Sequence, residues 1–286
     1  MMEVKKTVTG MHLFIALVVF SVILIIISFR KEIRVSLPLY FFVMGLSFIL
    51  EYIVFILGKA YTYRPTVFEE KWFDEVFGAS ISQALFIPAV LTAVSIFRIS
   101  FLWRLAVIAG IFMIESFFLR EGVYEQHWWR TWYTSVILFA AMFVTDIWRD
   151  SLKSPSPFVR FVTVYMAITT IIQAAVFYTV IFFRIHTYHA GFFESHDRDQ
   201  LAFSTLIWLI YSLILAVIVI YEFRKMVFAG LFAGAWLFEK LLIQADVLTI
   251  SHLWSSVYSA ALITLFCFLI GKLAVYIFPD INGESV

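Results

Sequence analysis

Nine uninterrupted apolar runs, each close to the length of a bilayer span, leave this chain few folds to choose from. They lie near residues 11–29, 36–58, 79–97, 103–119, 132–148, 159–183, 202–221, 226–243 and 254–277. A helix rising 1.5 Å per residue needs roughly 20 apolar residues to cross a hydrocarbon core about 30 Å thick. Backbone groups in hydrocarbon must be bonded within a helix or around a closed barrel, and barrel strands are short and alternating rather than continuously apolar. The runs therefore predict an all-α, polytopic membrane helix bundle of about nine spans. Composition agrees: 63% of the 286 residues are hydrophobic and 14% are charged, against about 25% charged in soluble domains. A net charge of +1 and the absence of any long polar segment argue against nucleic acid as a partner, which leaves the lipid bilayer as the first.

The first run follows Lys5 and Lys6 and ends at Arg30-Lys31 without a small-residue cleavage site, so it reads as a retained helix and not a signal peptide. The single cysteine, Cys267, falls inside the last run and can form no disulfide within the chain.

Two hydrophilic stretches repeat one pattern without a gap. YTYRPTVFEEKWFD at 61–74 and HTYHAGFFESHDRD at 186–199 share Thr62/Thr187, Tyr63/Tyr188, Phe68/Phe193, Glu69/Glu194 and Asp74/Asp199 at an offset of 125. Gly110 and Glu115 match Gly234 and Glu239 at 124, and His127, Trp129 and Tyr133 match His252, Trp254 and Tyr258 at 125. Three clusters agreeing within one residue predict a tandem duplication. Residues 1–33 would be a leading helix, 34–150 the first four-helix repeat, 151–158 the linker SLKSPSP with its neighbour, 159–278 the second repeat and 279–286 a tail. An even number of spans per repeat gives both the same orientation.

Nine spans put the amino terminus and every histidine on or beside one face, and the carboxyl terminus on the other. The loops of the second face are short and basic (FRKEIR, FRISFLWR, WRDSLKSPSPFVR, YEFRK), so that face is expected to be cytoplasmic and the amino terminus outside, although Lys5 and Lys6 argue the other way.

Glu51, Glu115 and Glu239 are the first candidates for chemistry. They lie roughly 12, 7 and 10 Å inside the outer face at 1.5 Å per residue. A carboxylate at such depth must meet protein, water or a partner. Two readings follow: a proton or cation site in an outward-facing cavity, or a buried carboxyl held by a Trp, a Tyr or a neighbouring helix. Glu51 has no acidic counterpart, position 176 being Val, although Gln173 lies one turn earlier. His127 and His252, each two residues before a Trp, are expected as proton-linked or gating partners, and Tyr63, Tyr188, Asp74 and Asp199 complete the repeated polar set. His186, His189 and His196-Asp197 lack metal-ligand spacing and read as a solvated loop, so no metal and no cofactor is expected. Walker, GxGxxG and GxSxG motifs are absent, which gives nucleophilic catalysis no support.

The run Glu115-x6-Gly122-x4-His127-x-Trp129-x3-Tyr133, with its Tyr-rich loop, Asp74 and FIP at 86–88, resembles a group of short, functionally unassigned multi-pass membrane proteins of spore-forming Gram-positive bacteria. Those chains are similar to one repeat of this one with a leading helix. The resemblance covers residues 11–150 well and 159–278 more weakly: Ala190 stands for Pro65, the glycine after Glu239 is missing, and Leu253 interrupts the aromatic run. It implies fold, a bacterial plasma membrane and no particular chemistry.

The expected function is a small-solute or ion binding or transport protein with its glutamate site open to the outer face. The alternatives are a non-catalytic membrane partner or sensor subunit touching another envelope protein, and, more weakly, a membrane-embedded enzyme on a lipid substrate.

Overall fold

The computed structural model describes residues 2–183, 186–221, 225–250 and 256–277 of the chain, so His252 and Trp254 lie outside the described residues. The fold is all-α apart from two short strand pairs, and among the described residues eight helices are long and apolar enough to cross a membrane. The chain divides into two compact units, Met1–Val159 and Arg160–Val286.

Unit 1 begins with α1 (Met2–Glu51), whose helical run is broken at Glu32, where φ −159° and ψ 74° leave the helical region. The break reverses the chain. Ser36 Oγ donates to the Ser28 carbonyl at 2.8 Å, and the Phe29 and Tyr40 rings meet at 6.0 Å. On a straight helix those pairs would be about 12 and 16 Å apart along the axis. The sequence places a polar loop around Arg30-Lys31, whereas the helix turns within a single residue.

The next crossing is also irregular for a stated reason. It runs from α2 (Lys71–Ser80) through a wide π-type turn at Ile81–Phe86 into α3 (Ile87–Ile96). Pro88 has no N–H to offer the Ala84 carbonyl one turn earlier. The Tyr40 hydroxyl donates to that carbonyl instead, at 2.6 Å. This helix starts eight residues before the apolar run, and its first turn carries Asp74, which holds the preceding loop. Helices α4 (Phe101–Glu121) and α5 (Thr131–Ser151) complete the unit. Their outward faces expose Leu102, Trp103, Met113, Val136 and Ile147, as lipid contact requires.

Strands were not expected from the sequence, yet the hydrophilic stretches form them. β1 (Tyr61–Tyr63) pairs antiparallel with β2 (Tyr124–Gln126), Tyr61 opposite Gln126 and Tyr63 opposite Tyr124. Such a pair satisfies backbone groups where the chain leaves hydrocarbon at a level too deep for full hydration. Gly122, at φ 73°, ends α4 in the left-handed conformation, and Val123 N–H reaches back to the Phe118 carbonyl at 3.1 Å.

In unit 2, α6 (Pro157–Phe183), α7 (His196–Tyr221), α8 (Lys225–Gln244) and α9 (Ser256–Ile277) surround a core of Ile168, Ile172, Trp208, Leu215, Val219 and Cys267. β3 (His186–Tyr188) pairs antiparallel with β4 (Leu248–Ile250), His186 opposite Ile250 and Tyr188 opposite Leu248. α8 ends as α4 does, with Asp246 at φ 56° and Val247 N–H on the Leu242 carbonyl at 2.9 Å. Asp is one of the few non-glycine residues that tolerate this conformation, which explains how the second stretch dispenses with a glycine there.

One close approach fixes β1 against α2. A Cβ on Gly78 would stand 2.6 Å from Tyr63 Cβ and 3.1 Å from Pro65 Cδ. Neither atom can swing away, so Gly78→Ala must push the strand from the helix. We expect it to cost about 2 kcal/mol and to lower the melting temperature in detergent, while alanine at Gly110, where nothing lies within 4 Å, leaves it unchanged or raised.

Candidate functional site

Each unit holds its loop by one buried aspartate. Asp74 accepts from the backbone N–H groups of Thr66 (2.8 Å), Val67 (2.7 Å) and Phe68 (3.1 Å). Asp199 accepts from those of Ala190 (2.7 Å), Gly191 (3.0 Å), Phe192 (2.6 Å) and Phe193 (3.3 Å). Both therefore organise the chain after a strand and are positioning residues, not open sites.

The loop so fixed presents tyrosines inward. In unit 1 the rings of Tyr61, Tyr63 and Tyr124 lie 5.0 to 5.6 Å apart, with Trp129 5.6 Å from Tyr61. Burial first, and the Glu51 charge next, push the Tyr61 hydroxyl well above the usual phenol range. Burial does the same for Tyr63 and Tyr124, to which both Glu51 and Glu115 contribute. These hydroxyls stay protonated and can donate. Tyr61 does so to Glu51 Oε2 at 2.6 Å, while Glu51 Oε1 is buried with no hydrogen-bond partner among the described residues.

Glu115 sits across this cluster on α4. Its Oε1 accepts from Gln126 Nε2 at 2.7 Å, and the Thr131 and Thr134 hydroxyls also bond to the carboxyl. Trp129 Nε1 donates to Thr134 Oγ1 at 2.9 Å, leaving the threonine proton for the acid. Below the tyrosines lies a cavity of about 150 Å³, whose polar wall is Glu115, Tyr63, Tyr124, Ser82, Gln83 and Thr134. Most of the rest is apolar, from Phe14 and Val54 at the loop end to Val43, Leu91 and Leu138 deeper in, with Tyr61 and Trp129 at the loop end and the hydroxyls of Ser47 and Thr145 among the aliphatic side chains. Glu115 is the one charged group in that lining.

His127 does not join it. The ring is exposed on the loop and bonds Thr62 Oγ1 at 2.9 Å, so Gln126 occupies the place by Glu115 that the sequence suggested for His127.

In unit 2, Glu239 Oε1 accepts from Ser259 Oγ at 2.5 Å and meets His186 Nε2 at 3.1 Å, while Ser259 Oγ is 2.6 Å from the same nitrogen. Glu239 Oε2 is buried and unpartnered among the described residues. Ser, His and Glu here form a triangle and not a relay: a nucleophilic triad needs the acid and the serine on opposite ring nitrogens, and here both face Nε2. Tyr188 lies against His186 with ring centroids 6.0 Å apart, and burial raises its hydroxyl well above the usual range. His189 and His196 stack at 4.4 Å, and among the described residues no group of three His, Cys, Asp or Glu could hold a metal ion.

Sequence reasoning missed Tyr61, Tyr124, Gln126, Thr134 and Ser259. The signal for three of them was present: an offset of 125 carries Thr134 to Ser259, a hydroxyl beside a membrane-helix glutamate in both units, and Tyr61 to His186. Comparison with family models, with curated proteins and with solved structures finds no match for this chain.

Proposed function

We propose that this is a nine-span bacterial plasma-membrane protein that binds a small solute inside unit 1, in the cavity headed by Glu115. The observation that carries the reading is the lone acid in the lining of an otherwise uncharged, largely apolar cavity of 150 Å³. Well-packed interiors leave few voids larger than a water molecule. Nine crossings follow from counting the reversal at Glu32 as the boundary between two spans, and a tandem duplication accounts for the matched strand registers, aspartate caps and left-handed helix ends. The basic cluster of Arg98, Arg104, Arg149 and Lys153 at the end of unit 1 away from the tyrosines supports a cytoplasmic position for that end.

The second repeat argues for division of labour. At an offset of 125, the cavity residues Ser47, Ser82, Gln83, Ala141 and Thr145 become Ile172, Ile207, Trp208, Phe266 and Ile270, which belong to or pack against the unit 2 core. Trp208 and Phe266 rings meet at 6.0 Å. Each of these five changes adds bulk or removes polarity, as filling a binding cavity requires, although Leu50, Ile87 and Leu91 correspond to the smaller Ala175, Ser212 and Ala216.

The test is modification by dicyclohexylcarbodiimide, an apolar reagent that reaches carboxyls through hydrocarbon, with sites located by mass spectrometry. Glu115 should react and Glu239 should not, and Ala141→Phe, which copies the unit 2 residue, should reduce the Glu115 reaction at least tenfold. A folded wild-type protein whose Glu115 never reacts would refute an accessible cavity.

A further inference from the structure

Resting on that reading, we propose that the solute is an organic ammonium ion with a hydrocarbon tail, its charged head seated between Glu115 and the tyrosine cluster and its tail lying in the apolar part of the cavity. Charge decides the sign. Among the residues lining the cavity there is one carboxyl and no Lys, Arg or His, so an anionic headgroup would have no counter-ion. Glu51, one hydrogen bond behind Tyr61, adds a second acid to the same end. The groups that touch Glu115 are neutral donors, Gln126, Thr131 and Thr134, and an ammonium head, alkylated or not, brings the compensating charge that they lack.

The aromatic residues narrow the class. Tyr61, Tyr63, Tyr124 and Trp129 all line the cavity at this end. Cations are attracted to such rings within about 6 Å of their centres, and aromatic cages with a nearby acid recognise alkylated ammonium groups. An inorganic cation fits poorly: Ca²⁺ takes 6–8 oxygen ligands and Mg²⁺ demands near-octahedral oxygens, whereas beyond Glu115 the lining offers scattered hydroxyls and one amide.

Length supplies the tail. The lining extends from Val54, in the wide π-type turn at Tyr52–Leu57 that follows α1, back to Val43 on α1, and along α5 from Thr134 to Thr145. Eleven helical steps in each stretch span about 16 Å. Leu46, Leu50, Phe86, Leu91, Ile111 and Leu138 supply most of the wall over that depth, with, beyond Thr134, only the hydroxyls of Ser47 and Thr145 on the same two helices. A bare ammonium ion would leave this length unfilled.

The experiment is equilibrium dialysis of the full-length protein in lipid nanodiscs, with radiolabelled octyltrimethylammonium, its uncharged carbon isostere bearing a tert-butyl head, and octanoate, each corrected against empty nanodiscs. Octyltrimethylammonium should bind saturably, at least tenfold more tightly than the isostere, with octanoate not binding. Glu115→Gln should weaken the cation at least tenfold and leave the isostere unchanged, and Ala141→Phe should remove both. The wild-type comparison alone tests the charge, so the inference does not depend on Glu115→Gln folding. Equal binding of cation and isostere, or tighter binding of octanoate, overturns the ammonium assignment and leaves the cavity reading standing. No saturable binding of any of the three, together with an unreactive Glu115, overturns both.

Discussion

Asp74→Ala should lower the stability of unit 1 by on the order of 3–5 kcal/mol, because three backbone donors lose the buried carboxylate that accepts from them in one step. Asp74 is 7% exposed, so water cannot fully replace it. Thr66 is held at φ 60°, a conformation that a β-branched residue leaves unless its surroundings insist. The strain released at Thr66 offsets a small part of the lost bonds, and the tyrosine wall of the cavity loosens with the loop. At roughly 2–4 °C per kcal/mol for a body of this size, the melting temperature should fall by about 10 °C or more. Asp74→Asn keeps the shape but turns an amide NH₂ toward an N–H donor, and should fall between. Asp199→Ala should do as much in unit 2, where four donors are released. Circular dichroism of both variants in detergent decides the matter: a drop under about 3 °C for either would mean that its cap does not organise the loop.

The second large effect belongs to the opposite end of unit 1. Arg149 is buried, with Nη1 donating to the Ser95 carbonyl at 2.5 Å and pairing with Asp146 Oδ1 at 3.0 Å. Asp146 also pairs with Arg104 at 2.6 Å and accepts from Ser95 Oγ at 2.8 Å, so α3, α4 and α5 meet on one carboxylate. The exposed bonds to Asp150 add little, since water screens them. Arg149→Ala strips the buried part and should cost about 3 kcal/mol. Arg149→Lys should recover less than half of that, because a point charge cannot serve the Ser95 carbonyl, Asp146 and Asp150 in three directions. Melting curves of both variants, with Asp150→Ala as the weak control, give the comparison. Equal stability of Arg149→Ala and wild type would show that the helices are held there by packing alone.

The helical spans were legible because bilayer thickness imposes a length that hydropathy reports directly, and the reversal at Glu32 falls between the first two runs as the charges at Arg30 and Lys31 suggest. What the sequence did not reveal is local and depends on contacts across the chain. Three-residue strands carry too little alternation to detect, and β1 exists only because β2, some sixty residues later, meets it. Glu51, Glu115 and Glu239 stood out because carboxyls are rare in apolar runs, and the structure gives each polar partners. Those partners were hidden, because Gln126 and Thr134 are unremarkable until α4 and α5 lie side by side. His127 was misplaced for the same reason: one residue of strand register turns its neighbour Gln126 inward and leaves the imidazole facing out.

The left-handed turns that end α4 and α8 meet one backbone demand with two different residues. A glycine at position 122 accepts that conformation at no steric cost, while Asp246 holds it against a penalty of roughly 1 kcal/mol. The second half thus carries strain at this turn while its interior is filled by Trp208 and Phe266. An unfilled 150 Å³ in the first half forgoes on the order of 3–4 kcal/mol of packing. Occupancy would restore much of it, so the stability of the first half is linked to its solute, whereas that of the second half is not.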